Sequence, residues 1–339
     1  MSPSPNFQIR PSKLWSSMKY LERRVIHAAL LLIGASVLSF LFSSLAPGSF
    51  FDEMKLNPQI SPETVAALRS QYGLDQPLPV KYFRWVKSVL RGEWGYSFAY
   101  NQPVRSLLIV RSQNTLLLTT LAMALAWLIA VPVGVWVASR HGRWEDQLTS
   151  ASTSVLLSVP ELVLALGLLY LVIRTHALPV GGMVSSGFDR LGSWGRVRDL
   201  AEHLIVPVTT LVLASLPILI RHVRASMIEV LQAPFIQAAR GHGISRARLL
   251  FCYALPAAAN PLISLFGLSV AGLLSGSLLV EVITGWPGLG PLLLEACFSR
   301  DLYVVIGVVM ASTLFMIFGS LLADVMLVAA DPRIRTDHA

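Results

Sequence analysis

Six long apolar runs divide this chain, and each is flanked by charged or turn-forming residues: 25–46, 115–138, 150–173, 204–220, 261–280 and 302–323. A helix needs about 20 apolar residues to cross the hydrocarbon core of a bilayer. Lipid offers no water to backbone polar groups, so only helices or closed barrels span it, and these runs lack the alternation of barrel strands. We therefore predict an all-α polytopic membrane protein with six transmembrane helices.

The first apolar run has a competing interpretation as a signal peptide, because Arg23 and Arg24 precede it and Ser44 and Ala46 lie near its end. The run is longer than the 7–15 residues of a signal h-region. Pro47 also occupies the place where cleavage would have to occur. We therefore interpret residues 25–46 as the first transmembrane helix.

Basic residues predict the orientation of the chain, because Lys and Arg are enriched in short cytoplasmic loops. With the N-terminus inside, the cytoplasmic segments contain fourteen Lys and Arg, and the short external loops contain five. Segment 47–114 exceeds the ~60 residues over which the rule applies. We predict a cytoplasmic N-terminal segment (1–24), a long external loop (47–114), a core with five transmembrane helices (115–330) and a cytoplasmic tail (331–339). The net charge of +8 is thereby explained without a nucleic-acid partner.

The external loop contains two predicted short helices, Pro62–Gln71 and Pro79–Arg91. The second is amphipathic and separates a basic set from an apolar set, with Trp85 between them. The basic set is Lys81, Arg84, Lys87 and Arg91, and the apolar set is Phe83, Val86, Val89 and Leu90. Two interpretations stand: the helix lies in the outer headgroup layer with its apolar face in lipid, or its basic face receives an acidic patch of an external solute-binding protein.

Residues 221–256 are charged enough for a cytoplasmic loop but are too well patterned for a linker. Pro234 suits a first helical turn, and Gly241 and Gly243 mark a stop, which predicts a helix over 234–240. Ser245 caps a second predicted helix, 246–254, which ends before Pro256. So short a helix as 234–240 is marginal in isolation. We therefore expect its apolar residues to pack in a groove of a partner protein: Phe235, Ile236, Ala238 and Ala239.

This loop also contains a spaced signature: Gln237-Ala238-Ala239, three residues, Gly243, nine residues, then Tyr253-Ala254-Leu255-Pro256. It resembles the EAA loop of the membrane subunits of ABC importers that use binding proteins, with Gln237 in place of Glu and Tyr253 in place of Ile. Three further stretches resemble the B-type permease of dipeptide, oligopeptide and nickel importers: Gly73–Pro79, Gly92–Ser97 and Gly285–Gly290.

The resemblance implies a subunit of the bacterial inner membrane that works with several partners. These are a second homologous permease, two ABC ATPases that bind ATP and Mg, and an external solute-binding protein. The residues that would form the ATPase-coupling loop are Pro234, Phe235, Gln237, Ala238, Ala239, Arg240, Gly243, Leu255 and Pro256. The chain contains no Gly-Lys dipeptide, so it lacks the loop that cradles nucleotide phosphates. We therefore expect no bound cofactor and no enzymatic activity of its own.

Two features within the predicted spans are candidates for the translocation path. Gly272 and Gly276 form G-x-x-x-G, with Ser275 beside them, which permits close helix approach. This face either packs within the chain, or lines the pore or meets a second permease. Glu161 lies in the third span, where a carboxylate is costly and counts as a functional candidate. It either contacts a positively charged cargo or is satisfied locally beside Pro160.

The external turn Trp286-Pro287-Gly288-Leu289-Gly290 follows Glu281, which we expect to organise it. His176 and His203 show no metal-ligand spacing, so no metal site is predicted. An alternative function is an ion-gradient-driven secondary transporter, which would use carboxylates such as Glu161 but would leave the EAA-like loop unexplained. The cargo stays open among dipeptides, oligopeptides, glutathione-like compounds, opines and nickel chelates.

Overall fold

The computed structural model describes residues 12–45, 61, 63, 65, 70 and 76–330. Their helices are α1 (Ser12–Leu45), α2 (Leu78–Val89), α3 (Val104–Ala138), α4 (Trp144–Ser158), α5 (Glu161–Thr175), α6 (Ser193–Leu231), α7 (Pro234–Gly241), α8 (Ala259–Thr284), α9 (Leu289–Phe298) and α10 (Leu302–Ala330). Strands β1 (Tyr96–Ser97) and β2 (Gln102–Pro103) pair antiparallel, with Tyr96 opposite Pro103. A 3₁₀ turn spans Phe188–Arg190.

Helices α1, α3, α6, α8 and α10 are each long and apolar enough to cross a membrane. The pair α4 and α5 passes the same test only when its two helices, which are bent by 93° from each other, are taken together as one broken span. The prediction of an all-α polytopic membrane protein is thereby confirmed, with five candidate spans and a sixth when the bent pair is counted as one. The prediction that 150–173 forms one continuous helix is wrong. Pro160 cannot donate a backbone hydrogen bond and disfavours α-conformation at Val159, which is extended (φ −88°, ψ 117°).

Two predicted boundaries are also wrong. Helix α3 begins at Val104, so residues 104–114 are helical and do not belong to the loop that precedes them. Helix α6 runs over 39 residues with Pro207 and Pro217 inside it, and the first part of the predicted loop 221–256 is its continuation. An apolar run reports only the part of a helix that lies in hydrocarbon, whereas these helices continue into polar turns beyond it.

The centre of the bundle is formed by α3, α6 and α8. Ala122, Ala126 and Ala130 of α3 are fully buried against α6 residues such as Leu211. Such small side chains let helix backbones approach closely in lipid, where packing drives association. We call the two ends of the bundle the α7 end, which also contains the α3–α4 turn, and the α9 end, which also contains the β1–β2 hairpin.

Helix α2 packs on α1 and α10 through Trp85, which is buried with Phe40 and Ile306. Tyr82 lies against the same cluster, and its hydroxyl is 2.9 Å from the Ser36 hydroxyl. The predicted separation of its faces is therefore only partly correct: Trp85 is at the centre of the buried face, whereas Phe83 and Leu90 are 70% and 83% exposed. Of the predicted helix Pro62–Gln71, only Glu63, Val65 and Ser70 are described, and they are helical; the rest lies outside the described residues.

Candidate coupling and translocation sites

The inner face of α7 packs on its own chain. Pro234 occupies the first turn, and the helix buries Ile236 and Ala239 among Val223 and Met227 of α6 and Leu249. The expectation that a partner's groove holds all the apolar residues of this helix is therefore wrong for Ile236 and Ala239. A short helix gains most of its stability from packing, and here α6 and the segment before α8 supply it.

The outer face of α7 is open. Phe235 is 50% exposed, and the other predicted coupling residues Pro234, Gln237, Ala238 and Arg240 are exposed as well. The Gln237 side-chain amide donates to the Gln232 carbonyl at 3.2 Å. This face presents an aromatic ring, small side chains and a cation, and the buried opposite face fixes its position.

Gly243 ends the turn after α7 in a left-handed conformation (φ +78°), which a side chain at this position would strain. Its N–H donates to the Arg240 carbonyl at 3.0 Å, and the Ile244 N–H reaches the Ala239 carbonyl at 3.4 Å. Within the part of the chain that the structure describes, no atom lies within 4 Å of the place where a Cβ would stand. Backbone conformation, and not space, therefore makes glycine the favoured residue here.

The predicted second helix does not end before Pro256. Residues 246–257 are helical almost throughout, with a π-helical stretch over Leu249–Ala254 followed by the turn Leu255–Ala257. In a regular α-helix the proline ring would clash with the Cys252 carbonyl four residues earlier, and the wider π-turn relieves this clash. The segment thus continues into α8 with one irregularity at Ala258, so α7 and α8 are linked by mostly helical chain.

An ion-pair cluster that the sequence did not reveal lies at the α7 end. Asp146 of α4 is buried and accepts two hydrogen bonds from Arg224 of α6, at 2.5 and 2.8 Å. It also accepts the Gly142 N–H at 2.9 Å. Arg246 donates to the Ser139 carbonyl at 2.7 Å. The bidentate pair ties α4 to α6, and Arg224, which the sequence placed in a loop, is helical.

Glu161 lies at the first position of α5, directly after the bend at Pro160. Its carboxylate faces Gly276 of α8 so closely that a Cβ at Gly276 would stand 2.5 Å from Oε2. Among the described residues no hydrogen bond or ion pair involves this carboxylate. Within the predicted G-x-x-x-G motif, Gly276 therefore packs inside its own chain. It packs against a carboxylate and not against a helix backbone.

Gly272, by contrast, has no atom within 4 Å of its Cβ position among the described residues. It belongs to a continuous exposed stripe on α8, spaced by three or four residues as one face of a helix requires. We call it the α8 stripe: Pro261, Ser264, Leu268, Gly272, Ser275, Leu279 and Val282. This face is not used in the packing of the described chain.

The Trp-Pro-Gly turn joins α8 and α9 and holds both against α3 by packing and hydrogen bonds. Trp286 is fully buried, and its indole N–H donates to the Asn114 carbonyl at 3.1 Å. The buried Glu281 carboxylate accepts the Gly290 N–H at 2.7 Å. A Cβ at Gly288 would stand 2.4 Å from that carboxylate, and one at Gly290 would stand 2.2 Å from the Leu278 carbonyl oxygen. The two glycines thus permit a contact between α8 and the turn that any side chain would push apart.

The two histidines considered as metal ligands, His176 and His203, each lie in a separate structural setting. His176 ends α5 in a left-handed conformation, and His203 is buried with its Nδ1 2.7 Å from the Asp199 carbonyl oxygen. Among the residues that the structure describes, no group of three or more His, Cys, Asp or Glu could hold a metal ion. Cys252 and Cys297 are both free and exposed.

A family model described as "Binding-protein-dependent transport system inner membrane component" matches residues 130–336. A second model, for the N-terminal part of such membrane components, matches residues 17–119. Together they cover most of the chain, including the EAA-like segment, the α8 stripe and the Trp-Pro-Gly turn.

Curated relatives are similar over nearly their whole length. The oligopeptide transport system permease protein AppB of Bacillus subtilis (strain 168) is 32% identical over 93% of this chain and 98% of its own. OppB, the oligopeptide permease protein of Mycobacterium tuberculosis (strain ATCC 25618 / H37Rv), and DppB, the dipeptide permease protein of Escherichia coli (strain K12), are also 32% identical, each over 94% of this chain and 99% of its own.

Solved structures share the fold. Inward-facing structures of the MetNI methionine ABC transporter contain a chain with a TM-score of 0.51 to 0.52 at 17% identity, which covers 66% of this chain and 96% of that one. The chain belongs to the family of binding-protein-dependent transport system inner membrane components, and it is a multi-pass inner-membrane permease subunit of an ABC importer.

Proposed function

We propose that this subunit forms half of a translocation path for peptides or similar small solutes, and that partner ATPases drive it through α7. ABC importers of this kind work with ATPases and a substrate-binding protein, and here the ATPases would hold ATP and Mg. The observation that carries the proposal is the division of α7 into a buried inner face and an exposed outer face. Phe235, Gln237, Ala238 and Arg240 are available to a partner, whereas Ile236 and Ala239 anchor the helix to its own bundle.

This anchoring supports a mechanical role for the segment. A partner that displaces α7 displaces the residues packed on its inner face, Val223 and Met227 of α6 and Leu249 before α8. Packed interiors transmit such shifts because they are dense. The helical chain from 246 to 257 leads directly into α8, which bears the exposed stripe. ATPase closure would thus reach the helix that borders the path.

The basic residues at the α7 end support a cytoplasmic location for this end, with both termini inside and the Trp-Pro-Gly turn outside. Arg140, Arg143, Arg240, Arg246 and Arg248 all lie at this end, in agreement with the rule that basic residues gather in short cytoplasmic loops. The α9 end would then face the solute-binding protein.

The α8 stripe supports a heterodimer with a second homologous permease. A stripe that includes Gly272 and Ser275 is suited to close approach of another helix. The Glu161 carboxylate, which has no hydrogen-bond or ion-pair partner among the described residues, lies beside Gly276 and borders the same region. A charge at this depth requires water or a cation, and a translocation path between two permeases supplies water. The peptide cargo rests on the names of the relatives, which are oligopeptide and dipeptide systems.

Cross-linking tests the proposed ATPase contact. We expect a cysteine at Ala238, in a chain with Cys252 and Cys297 replaced by serine, to be linked to an ATPase subunit by a thiol-to-amine reagent in the complete transporter. Ala238 is exposed on the outer face of α7. A control cysteine at the exposed Ser193, at the α9 end, should give no link to an ATPase. Linkage from Ser193 and none from Ala238 would contradict both the proposed contact and the proposed orientation.

A further inference from the structure

A cleft of about 510 Å³ opens between α2, the β1–β2 hairpin and the first turns of α3 and α10. It is separate from α7, the α8 stripe and Glu161. Its lining combines cations with aromatic rings: Lys81, Arg84, Arg105, Trp85, Trp94 and Tyr303. One carboxylate, Glu93, also lines it and accepts a hydrogen bond from the Ser88 hydroxyl at 3.2 Å. Among the lining residues that the structure describes, Arg84 and Arg105 outnumber the single carboxylate, which gives the cleft a net positive charge.

Two of these cations lack an anionic partner within the described chain. The exposed guanidinium groups of Arg84 and Arg105 form no ion pair with any residue that the structure describes. Arg105 extends toward Gly92, where its Nη1 is 3.9 Å from the Cβ position. Guanidinium groups donate hydrogen bonds in a planar fork that fits phosphate and carboxylate oxygens. The cleft is therefore suited to an oxyanion.

The depth of the cleft in the membrane indicates which kind of molecule supplies the oxyanion. Arg105 is the second residue of α3 and Tyr303 the second residue of α10, and both helices are candidate membrane spans. Trp and Tyr gather where hydrocarbon gives way to headgroups, and Trp85, Trp94 and Tyr303 lie together here. Phosphate groups of lipids occupy this level.

The same helix also presents surface for an acyl chain. Phe83 and Leu90 of α2 are 70% and 83% exposed, although Trp85 between them is buried. An acidic patch on a soluble protein would match the cations but would leave these two large apolar side chains in water. A ligand with an anionic head and an apolar tail matches both sets.

We propose that this cleft binds the phosphate of an anionic phospholipid, with Arg84 and Arg105 on the phosphate oxygens and the acyl chains over Phe83 and Leu90. The excess of positive charge favours a lipid with net negative charge over a zwitterionic one. The bound lipid would fix α2 against α1 and α10 at the end of the bundle that contains the hairpin.

Native mass spectrometry of the complete transporter tests this site, with dioleoyl phosphatidylglycerol and dioleoyl phosphatidylcholine as probes. We expect phosphatidylglycerol to be retained preferentially. Arg84→Gln and Arg105→Gln should each weaken its retention about fivefold, and the double variant about 25-fold, from the usual effect of one basic residue near a lipid surface. Arg190→Gln is the control, because Arg190 is an exposed cation in the 3₁₀ turn at the α9 end that does not line the cleft and lies outside α2.

Further measurements distinguish a bound lipid from a free anion and from an acidic protein surface as the ligand of the cleft. Phe83→Asn with Leu90→Asn should weaken lipid retention, and inorganic phosphate at millimolar concentration should leave the lipid in place. Complete displacement by phosphate would assign the cleft to a free anion. Unchanged lipid retention in the double arginine variant, together with loss of affinity for the cognate binding protein, would assign it to protein docking. Either result would overturn the proposal.

Discussion

Replacing Gly243 with proline is expected to reduce ATP-driven uptake by at least about tenfold while the subunit remains inserted in the membrane. Proline fixes φ near −65°, whereas Gly243 has φ +78°, and the substitution also removes the hydrogen bond from the Gly243 N–H to the Arg240 carbonyl. The turn after α7 must therefore change direction, which misplaces the outer face of α7 against the ATPase. Uptake of peptide into membrane vesicles, with the amount of inserted subunit measured in parallel, gives the result.

Alanine variants separate this effect from simple backbone strain. Gly142, in the turn between α3 and α4, also has φ +78°, and like Gly243 it has no described atom within 4 Å of its Cβ position. Alanine costs about the same at both positions, roughly 1 kcal/mol. We expect Gly243→Ala to lower uptake and Gly142→Ala to leave it near the wild-type rate. Equal uptake in all these variants would exclude a coupling role for the turn.

Introducing leucine at Gly272 is expected to lower uptake by at least about tenfold without lowering the stability of the isolated subunit. A Cβ at Gly272 would have no described atom within 4 Å, and the residue is exposed on the α8 stripe, so the leucine side chain would extend into open space outside its own chain. It would instead fill the α8 stripe where the second permease or the path is proposed to lie. Uptake, thermal unfolding of the subunit and co-purification of the second permease are the three measurements.

The co-purification result identifies how the stripe is used. Loss of the second permease would mean that Gly272 packs against it, and retention with low uptake would mean that Gly272 lines the path. Gly167→Leu serves as control, because Gly167 of α5 is also exposed and has no described atom within 4 Å of its Cβ position. Unchanged uptake and assembly in Gly272→Leu would show that the α8 stripe faces only lipid, which would contradict its proposed role.

The membrane spans and α7 could be predicted from sequence because each has a local cause. Apolar length predicts a span, and Pro234 with Gly243 bounds a short helix. Family membership also sets aside the ion-gradient alternative, which rested on Glu161. The orientation of the termini stays a prediction supported by the distribution of basic residues.

The features that the sequence did not predict depend on neighbours that are distant in the chain. Asp146 and Arg224 are 78 residues apart, and their pair is visible only when α4 and α6 are placed side by side. The sequence predicted that Ile236 packs against a partner protein, but α6 and the segment before α8 cover it. Trp85 looked intermediate on a helical wheel, but Phe40 and Ile306 bury it. In each case the tertiary neighbour decides which face is inside.

We expect the chain to move cargo only when partner ATPases drive it. Proteoliposomes that contain the complete transporter and its binding protein, supplied with a defined mixture of dipeptides to hexapeptides, test this claim directly when uptake is quantified by mass spectrometry. We expect accumulation with ATP at the ATPase side, and none with a non-hydrolysable analogue or with an imposed proton or sodium gradient alone. Accumulation driven by an ion gradient without ATP, or by this subunit reconstituted alone, would contradict the account.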